Sequence, residues 1–293
     1  MSVFICPDTK IITQGATGRS GRIYTEKCIN YGGGRTCFVA GVNPKRAGEV
    51  ILDMPIYGTV KEAKQETGAT ASVIYVPAAT AAAAILEAVD ADLELVICTT
   101  EGIPIKDLLT LYNKMDAKVA AGGRKTTLLG PGSPGILIPE ILKVGMIPDY
   151  ACTHGSVGVV TNSGTLAYEV VMQLKEAGFA PSAIVGLGRG PICALKSKEV
   201  LQAFNADAQT QAIVFVAETG GSDLVEMAQW YQTHNSKPAV VYIAGMALPP
   251  GQDTHYWGDL NHGMVRKNKE FVRSCGLMVA DTLVELGALL QVL

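Results

Sequence analysis

Short apolar, β-branched runs that alternate with helix-patterned stretches constrain this chain more than any other feature. Ile11 to Thr13, Cys37 to Ala40, Val73 to Val76, Leu95 to Cys98 and Thr127 to Leu129 are nearly continuous apolar or β-branched segments, as strands buried on both faces of a parallel sheet are. Between them, Thr80 to Val89 is rich in helix formers and Ile105 to Lys114 spaces leucines among acids and bases. Strand, helix, strand in repetition reads as a βαβ series, hence an α/β fold with a parallel, doubly wound sheet.

The stretch GPGSPGILIPE, Gly130 to Glu140, is dense in Gly and Pro and reads as a boundary loop. Beyond it the pattern restarts. Val157 to Val160 leads into a helix whose Leu166, Val170, Val171 and Leu174 share one face and whose end is set by Gly178. Ala183 to Val185, Ile213 to Val216, Val240 to Ile243 and Leu277 to Val279 supply further parallel strands, with a helical stretch at Ser222 to Thr233. The second half is therefore also α/β, of flavodoxin-like type, and 293 residues at 48% hydrophobic content suit two domains better than one.

With 24 basic against 27 acidic residues spread along the chain, there is no electrostatic footprint for nucleic acid or an anionic membrane. No apolar run approaches the roughly 20 residues that span a bilayer, and the first ten residues lack a signal-peptide pattern. Seven cysteines without a C-x-x-C pair fit a reducing compartment. A cytoplasmic protein, or a matrix protein if the chain is a processed mitochondrial form, is the expectation, with no nucleic-acid or membrane partner.

The loops after the strands carry the candidate chemistry. Gln14 to Gly21 reads QGATGRSG, with Gly15, Gly18 and Gly21 at three-residue spacing and Thr17, Arg19 and Ser20 as polar donors. Such a loop before a helix either cradles a phosphate or makes a tight turn with close helix packing. At the end of the second strand an NAD site would place an acid; here stand Asn43, Lys45 and Arg46, which favour an additional phosphate such as that of NADP or coenzyme A, or are solvated loop charges. Thr99, Thr100 and Glu101 follow another strand and line the crevice, Glu101 alternatively serving only a helix start. Further on, Ser163, Gly164 and Thr165 open a helix, as a phosphoryl or carboxylate cradle or a plain N-cap. Glu218 ends a strand ahead of two glycines, where a carboxylate can orient a histidine. His255 and His262, two of only four histidines, follow a strand on a Gly/Pro-rich loop. Neither their spacing nor the cysteines suggest a metal site.

The phrases QGATG, GATASVIYVPA, TTEGIP, GPGSPG, NSGTLAYE, VGLGRGP, AETGG and YIAGMALPPG occur in this order. Together they make the chain resemble, nearly end to end, the succinyl-CoA synthetase α-subunit family. This is part of the wider nucleoside-diphosphate-forming acyl-CoA synthetases, which include ATP-citrate lyase. The resemblance implies a Rossmann-like CoA-binding domain over residues 1–129 and a flavodoxin-like ligase domain over 130–293. It also implies CoA contacts from Thr17, Gly18, Arg19, Ser20, Lys45 or Arg46, and Thr99, Thr100 and Glu101. The organic acid would lie near Ser133, Ser163, Gly164, Thr165 and Tyr168. Catalysis would rest on a phosphohistidine, His255, oriented by Glu218, and on ATP or GTP with Mg2+ bound by an ATP-grasp β subunit in an αβ or α2β2 assembly.

The chain departs from the family pattern in places. The family's Gly-His-Ala-Gly-Ala is Thr254-His255-Tyr256-Trp257-Gly258 here, so an ungapped count from Gly251 would select Tyr256, and Asn261-His262-Gly263 is a third alignment. Gly132 and Ser133 replace an Asn and a Cys, and Arg189 replaces a residue of a GGDP phrase. If Arg189 faces the pocket, the acid carries a group that succinate lacks, as malate, citrate or a sulfonated acid does; as a surface arginine it says nothing. The rival readings are an NADP-dependent oxidoreductase and a CoA-binding regulatory protein without a phosphohistidine.

Overall fold

The computed structural model describes residues 3–149, 152–188, 192–217, 222–234, 237–245 and 262–293. The first series runs β1 (Ile11–Gln14), α1 (Arg19–Ile29), α2 (Gly34–Cys37), β2 (Phe38–Val42), β3 (Val50–Ile51), β4 (Met54–Tyr57), α3 (Val60–Thr67), β5 (Ala71–Ile74), α4 (Ala78–Asp90), β6 (Leu95–Cys98), α5 (Ile105–Ala120) and β7 (Thr127–Leu129). Its sheet is ordered β3-β4-β2-β1-β5-β6-β7, parallel but for the short β3. Strands β1, β5 and β6 are buried along their whole length, which is why they read as unbroken apolar runs.

Local signals set the element ends. Thr59 and Glu62 form a reciprocal capping box at α3, and Gly68 closes it in the left-handed conformation. In α4 the buried positions Ala81, Ile85, Ala88 and Val89 fall on one stripe. Two strands of this sheet are shifted from the sequence reading, and β1 runs one residue further, to Gln14. Cys37 belongs to the short α2 turn, so β2 starts at Phe38. β5 runs from Ala71 and stops at Ile74, because three residues on Pro77 has no N–H for the ladder and instead caps α4.

The second series comprises β8 (Gly135–Ile138), β9 (Leu142–Gly145), β10 (Val157–Thr161), α6 (Gly164–Glu176), β11 (Pro181–Gly186), α7 (Ser197–Ala206), β12 (Ala212–Ala217), α8 (Ser222–His234), β13 (Ala239–Ile243), α9 (His262–Ser274), β14 (Met278–Ala280) and α10 (Glu285–Gln291). The order is β14-β13-β12-β10-β11-β8-β9. Strands β10 to β14 are parallel, whereas β8 and β9 form an antiparallel hairpin on β11. The segment read from sequence as a boundary loop thus contains a strand. Its Gly/Pro density belongs to the residues before it and to the hairpin turn, where Glu140 adopts φ 64.

The two sheets are continuous through their packing. One apolar cluster takes in Ile97 and Leu129 from the first sheet, Ile138 and Val144 from the hairpin, and Val160, Val185 and Phe204 beyond it. Outside β7, Leu195 donates its N–H to Leu128 O at 3.1 Å and Ala194 to Gly130 O at 3.3 Å.

Helix α1 is held against its own loop by glycine. A Cβ on Gly21 would stand 2.1 Å from Gly15 O, while one on Gly18 would lie 3.4 Å from the same atom. Gly21→Ala should therefore destabilise the protein by about 1–3 kcal/mol, the range for forcing extra atoms into a packed site. Gly18→Ala should stay within about 0.5 kcal/mol. Urea denaturation of both variants checks the ordering, and equal midpoints would contradict it.

Candidate functional site

In an open α/β sheet the ligand crevice opens where strand order reverses, outside the carboxyl ends of the strands. In the first sheet that point is β1, which has β2 on one side and β5 on the other. The QGATG loop follows it. Gly15 is at φ 98, a conformation L side chains rarely adopt, and a Cβ there would make a tight contact of 3.2 Å with the backbone of Tyr75 and of Val76, so the loops after β1 and β5 lie against each other. Gly18 donates its N–H to Gly15 O at 3.0 Å and is the N-cap of α1, bringing no side chain to cover the first helical turn. Backbone N–H groups there are suited to an anion.

Of the polar residues expected at this mouth, Thr17 is half-buried and Arg19 and Ser20 are exposed. Asn43 Nδ2 donates to Thr17 Oγ1 at 2.7 Å and Asn43 Oδ1 accepts from Lys45 N at 2.9 Å, so the glycine loop and the basic turn form one unit. Lys45 is exposed, and Arg46 pairs with Glu49 across an exposed turn. Thr99 is buried and gives its hydroxyl to Ile74 O at 2.8 Å, and Thr100 gives its own to Val76 O at 2.6 Å. Both hydroxyls thus fasten the end of β6 to the end of β5. Glu101 is exposed in the following loop, four residues ahead of α5.

Sequence reasoning passed over Gln14, the last residue of β1. Its side chain is 2% exposed, accepts from Ser72 Oγ at 2.8 Å and donates to Ala84 O at 2.9 Å. It fixes the strand end from which the glycine loop departs. A long polar residue directly after an apolar strand-like run was the signal that could have found it.

In the second sheet the reversal is at β10, between β11 and β12. The helix start after it is tightly made. Thr161 Oγ1 donates to Ser163 O and accepts from Ser163 N, each at 2.9 Å. Ser163 Oγ accepts from Leu166 N at 3.3 Å as the cap of α6. Gly164 is half-buried, and Thr165 and Tyr168 are exposed on the first turns of α6. Glu218, His255 and Arg189 lie outside the described residues, and of His262 only its place at the start of α9 is described.

Residues 130–135 connect these two mouths. Gly132 N donates to Thr100 O and Ser133 N to Cys98 O, each at 3.0 Å. Ser133 Oγ donates to Gly186 O at 2.6 Å and accepts from Gly135 N at 2.9 Å. A Cβ on Gly186 would be 2.1 Å from Pro134 Cγ, and one on Gly188 would be 2.4 Å from Pro131 O. The Gly130–Pro131 bond is cis. Ser133 is fully buried, with its hydroxyl engaged both as donor and as acceptor on backbone, so it holds the loop to β11. A cleft of about 610 Å³ lies nearby between α1 and the end of the hairpin, with Tyr24, Lys27, Lys143, Asp149 and Tyr168 on its walls. Lys143 is buried there and pairs with Asp149 at 2.8 Å.

Comparison with known proteins gives two family matches. A CoA binding domain covers residues 7–102 and a CoA-ligase domain covers residues 160–266. The chain is 42% identical over 293 residues to succinate–CoA ligase [ADP-forming] subunit alpha of Staphylococcus epidermidis, with 99% of this chain and 94% of that protein aligned. The subunit of the same name from Staphylococcus aureus gives the same identity and coverage. Among solved structures, ATP citrate lyase from Methanothrix soehngenii, in complex with citrate and coenzyme A, superposes with a TM-score of 0.80 at 17% identity. That alignment covers 99% of this chain, which spans 50% of the length of the lyase. The dinucleotide forming acetyl-coenzyme A synthetase 1 of Ca. Korarchaeum cryptofilum gives a TM-score of 0.70 at 20% identity, with 95% of this chain and 59% of that one covered.

Ser133→Ala would leave Gly186 O and Gly135 N buried without their partner. The variant should lose about 1–3 kcal/mol for each group stranded, read as a lowered urea midpoint. A midpoint equal to that of the unmutated protein would refute the role given to Ser133. A second expectation concerns pH. Burial pushes the thiols of Cys28 and Cys98 up to about 11, whereas in the unfolded chain they ionise near the ordinary value of 9.0. Alkali therefore ionises the unfolded state first. Unfolding free energy should be insensitive to these thiols below about pH 8 and fall as pH rises from about 9 through 11. Cys28→Ala and Cys98→Ala should each flatten that decline.

Proposed function

Because the chain belongs to the family of ADP-forming succinate–CoA ligase α subunits, we propose that it binds CoA at the mouth of the first sheet and carries the acid and phosphoryl chemistry at the mouth of the second. The observation that carries this reading is the 130–135 loop, bonded to Thr100 and Cys98 on one side and to Gly186 on the other. A thioester-forming ligase must bring a thiol carrier and an activated carboxylate within bonding distance, and a fixed bridge between the two crevices supplies that proximity.

The residues present fit CoA as a substrate. Gly18 exposes the first turn of α1, and Thr17, Ser20, Arg19, Lys45 and Arg46 are donors around it. Thr99 and Thr100 hold the adjoining strand ends, and Glu101 stands exposed at the rim. The domain division at residues 129 and 130 is part of this reading. Across the bridge, Ser163, Gly164 and Thr165 at the start of α6 accommodate a phosphoryl group or carboxylate, with Tyr168 one turn further on. Ser133 serves the acid site by fixing the loop beside it.

His255 is proposed as the phosphoryl carrier and Glu218 as the carboxylate that fixes its tautomer, with His262 the second candidate. The ring takes a phosphoryl group from ATP or GTP, held with Mg2+ on an ATP-grasp β subunit, as the nucleoside diphosphate leaves. The acid's carboxylate then displaces the imidazole from phosphorus and forms an acyl phosphate. The CoA thiolate attacks the acyl carbon, phosphate departs, and the thioester results. An αβ or α2β2 assembly and a cytoplasmic or matrix location complete the proposal. Among the described residues no helix is long and apolar enough to cross a membrane.

The test uses the chain together with its β partner. Labelled ATP should leave an acid-labile, base-stable label on the chain, and His255→Ala should abolish it while CoA affinity changes less than about twofold. Label retained in His255→Ala would transfer the role to His262, and no label on the unmutated complex would overturn the phosphohistidine. Thioester formation with succinate, malate, citrate and a sulfonated acid then identifies the substrate.

A further inference from the structure

Asn43 stands where the glycine loop meets the basic turn, and its hydrogen bonds fix the polarity of its neighbour. The backbone N–H of Lys45 can only donate, so the atom 2.9 Å from it must be the amide oxygen of Asn43. The amide nitrogen then faces Thr17, at 2.7 Å. An amide N–H can only donate as well, which makes Thr17 Oγ1 the acceptor in that bond and turns its own proton away from Asn43. Among the described residues Thr17 Oγ1 donates to no protein acceptor. The turn that holds Asn43 is itself secured, by Asn43 N to Tyr57 O at 3.0 Å and by Arg46 N to Asn43 O at 3.1 Å.

We infer that Asn43 is a positioning residue that sets Thr17 as a hydrogen-bond donor toward a phosphate oxygen of the coenzyme and joins the phosphate loop to the Lys45–Arg46 turn. This rests on the CoA reading of the first crevice and deepens it. A phosphate oxygen only accepts at neutral pH, so a hydroxyl whose lone pair is already used and whose proton is free is matched to it. An aspartate at position 43 would reverse the arrangement. Its carboxylate would accept the Thr17 proton, remove the donor from the crevice and place a negative charge beside the ligand's phosphate. Alanine would remove the orienting bonds without reversing them.

Calorimetric titration of CoA, with NADP in parallel, into the full chain and its variants decides the matter. Asn43→Asp should weaken CoA binding about tenfold or more and Asn43→Ala about threefold, with urea midpoints near that of the unmutated protein. In a Thr17→Val background Asn43→Asp should cost clearly less than in the unmutated chain, because the donor it would redirect is already gone. Equal losses for the two Asn43 variants, additive with Thr17→Val, would reduce Asn43 to a loop-packing role and overturn the inference. Binding of NADP in place of CoA would sink the coenzyme A reading while the same variant series on NADP still decides the role of Asn43. Binding of neither would overturn both.

Discussion

The bridge formed by residues 130–135 is the constraint on which the rest of the molecule depends. Two peptide N–H groups, of Gly132 and Ser133, donate to Thr100 O just beyond β6 and to Cys98 O at its end, and one hydroxyl, of Ser133, spans Gly186 O and Gly135 N on the far side. All of these groups are in or beside buried backbone, where a hydrogen bond lost strands a polar atom away from water. A doubly wound sheet opens its ligand crevice at the carboxyl ends of its strands. The 130–135 loop ties the crevice end of one sheet to that of the other.

Close backbone approach at that face accounts for its glycines. Gly186 and Gly188 give way to Pro134 and Pro131, and Gly15 to the Tyr75–Val76 peptide. These contacts are rigid, since the opposing atoms are backbone or proline ring, and they leave the loops little freedom to drift. Behind them the apolar cluster that joins Leu129, Ile138, Val160 and Phe204 makes the two sheets a shared core. Shared burial favours keeping the crevices at a fixed separation, which a transfer between two bound groups requires.

Much of the fold was legible because buried parallel strands must be apolar and the helices between them must carry a stripe. Strands β6 and β7 match their sequence boundaries residue for residue, and the start of α6 is signalled by Ser163. The hairpin of β8 and β9 escaped because its Gly- and Pro-rich entrance carries the composition of a loop, and only pairing with β11 makes it a strand. The candidate site was legible in part. The glycine loop follows from spacing, but the spending of the Thr99, Thr100 and Ser133 hydroxyls on backbone carbonyls does not. Those partners lie 24 to 53 residues away in the chain. Gln14 shows the same limit, its amide being satisfied by Ser72 and Ala84 across the sheet.

The sequence by itself determined the α/β class, the order of the elements and the positions of the polar loops, since these follow from local periodicity and from the glycines and prolines that interrupt it. It also placed the chain among its relatives. Only the tertiary structure decided which hydroxyls fasten strand ends, that Asn43 donates to Thr17, and that one loop fastens the two sheet edges together. The physical reason is that a hydrogen bond has a direction and a partner. Residue type supplies the donor or acceptor, and the packing of distant strands chooses what it meets.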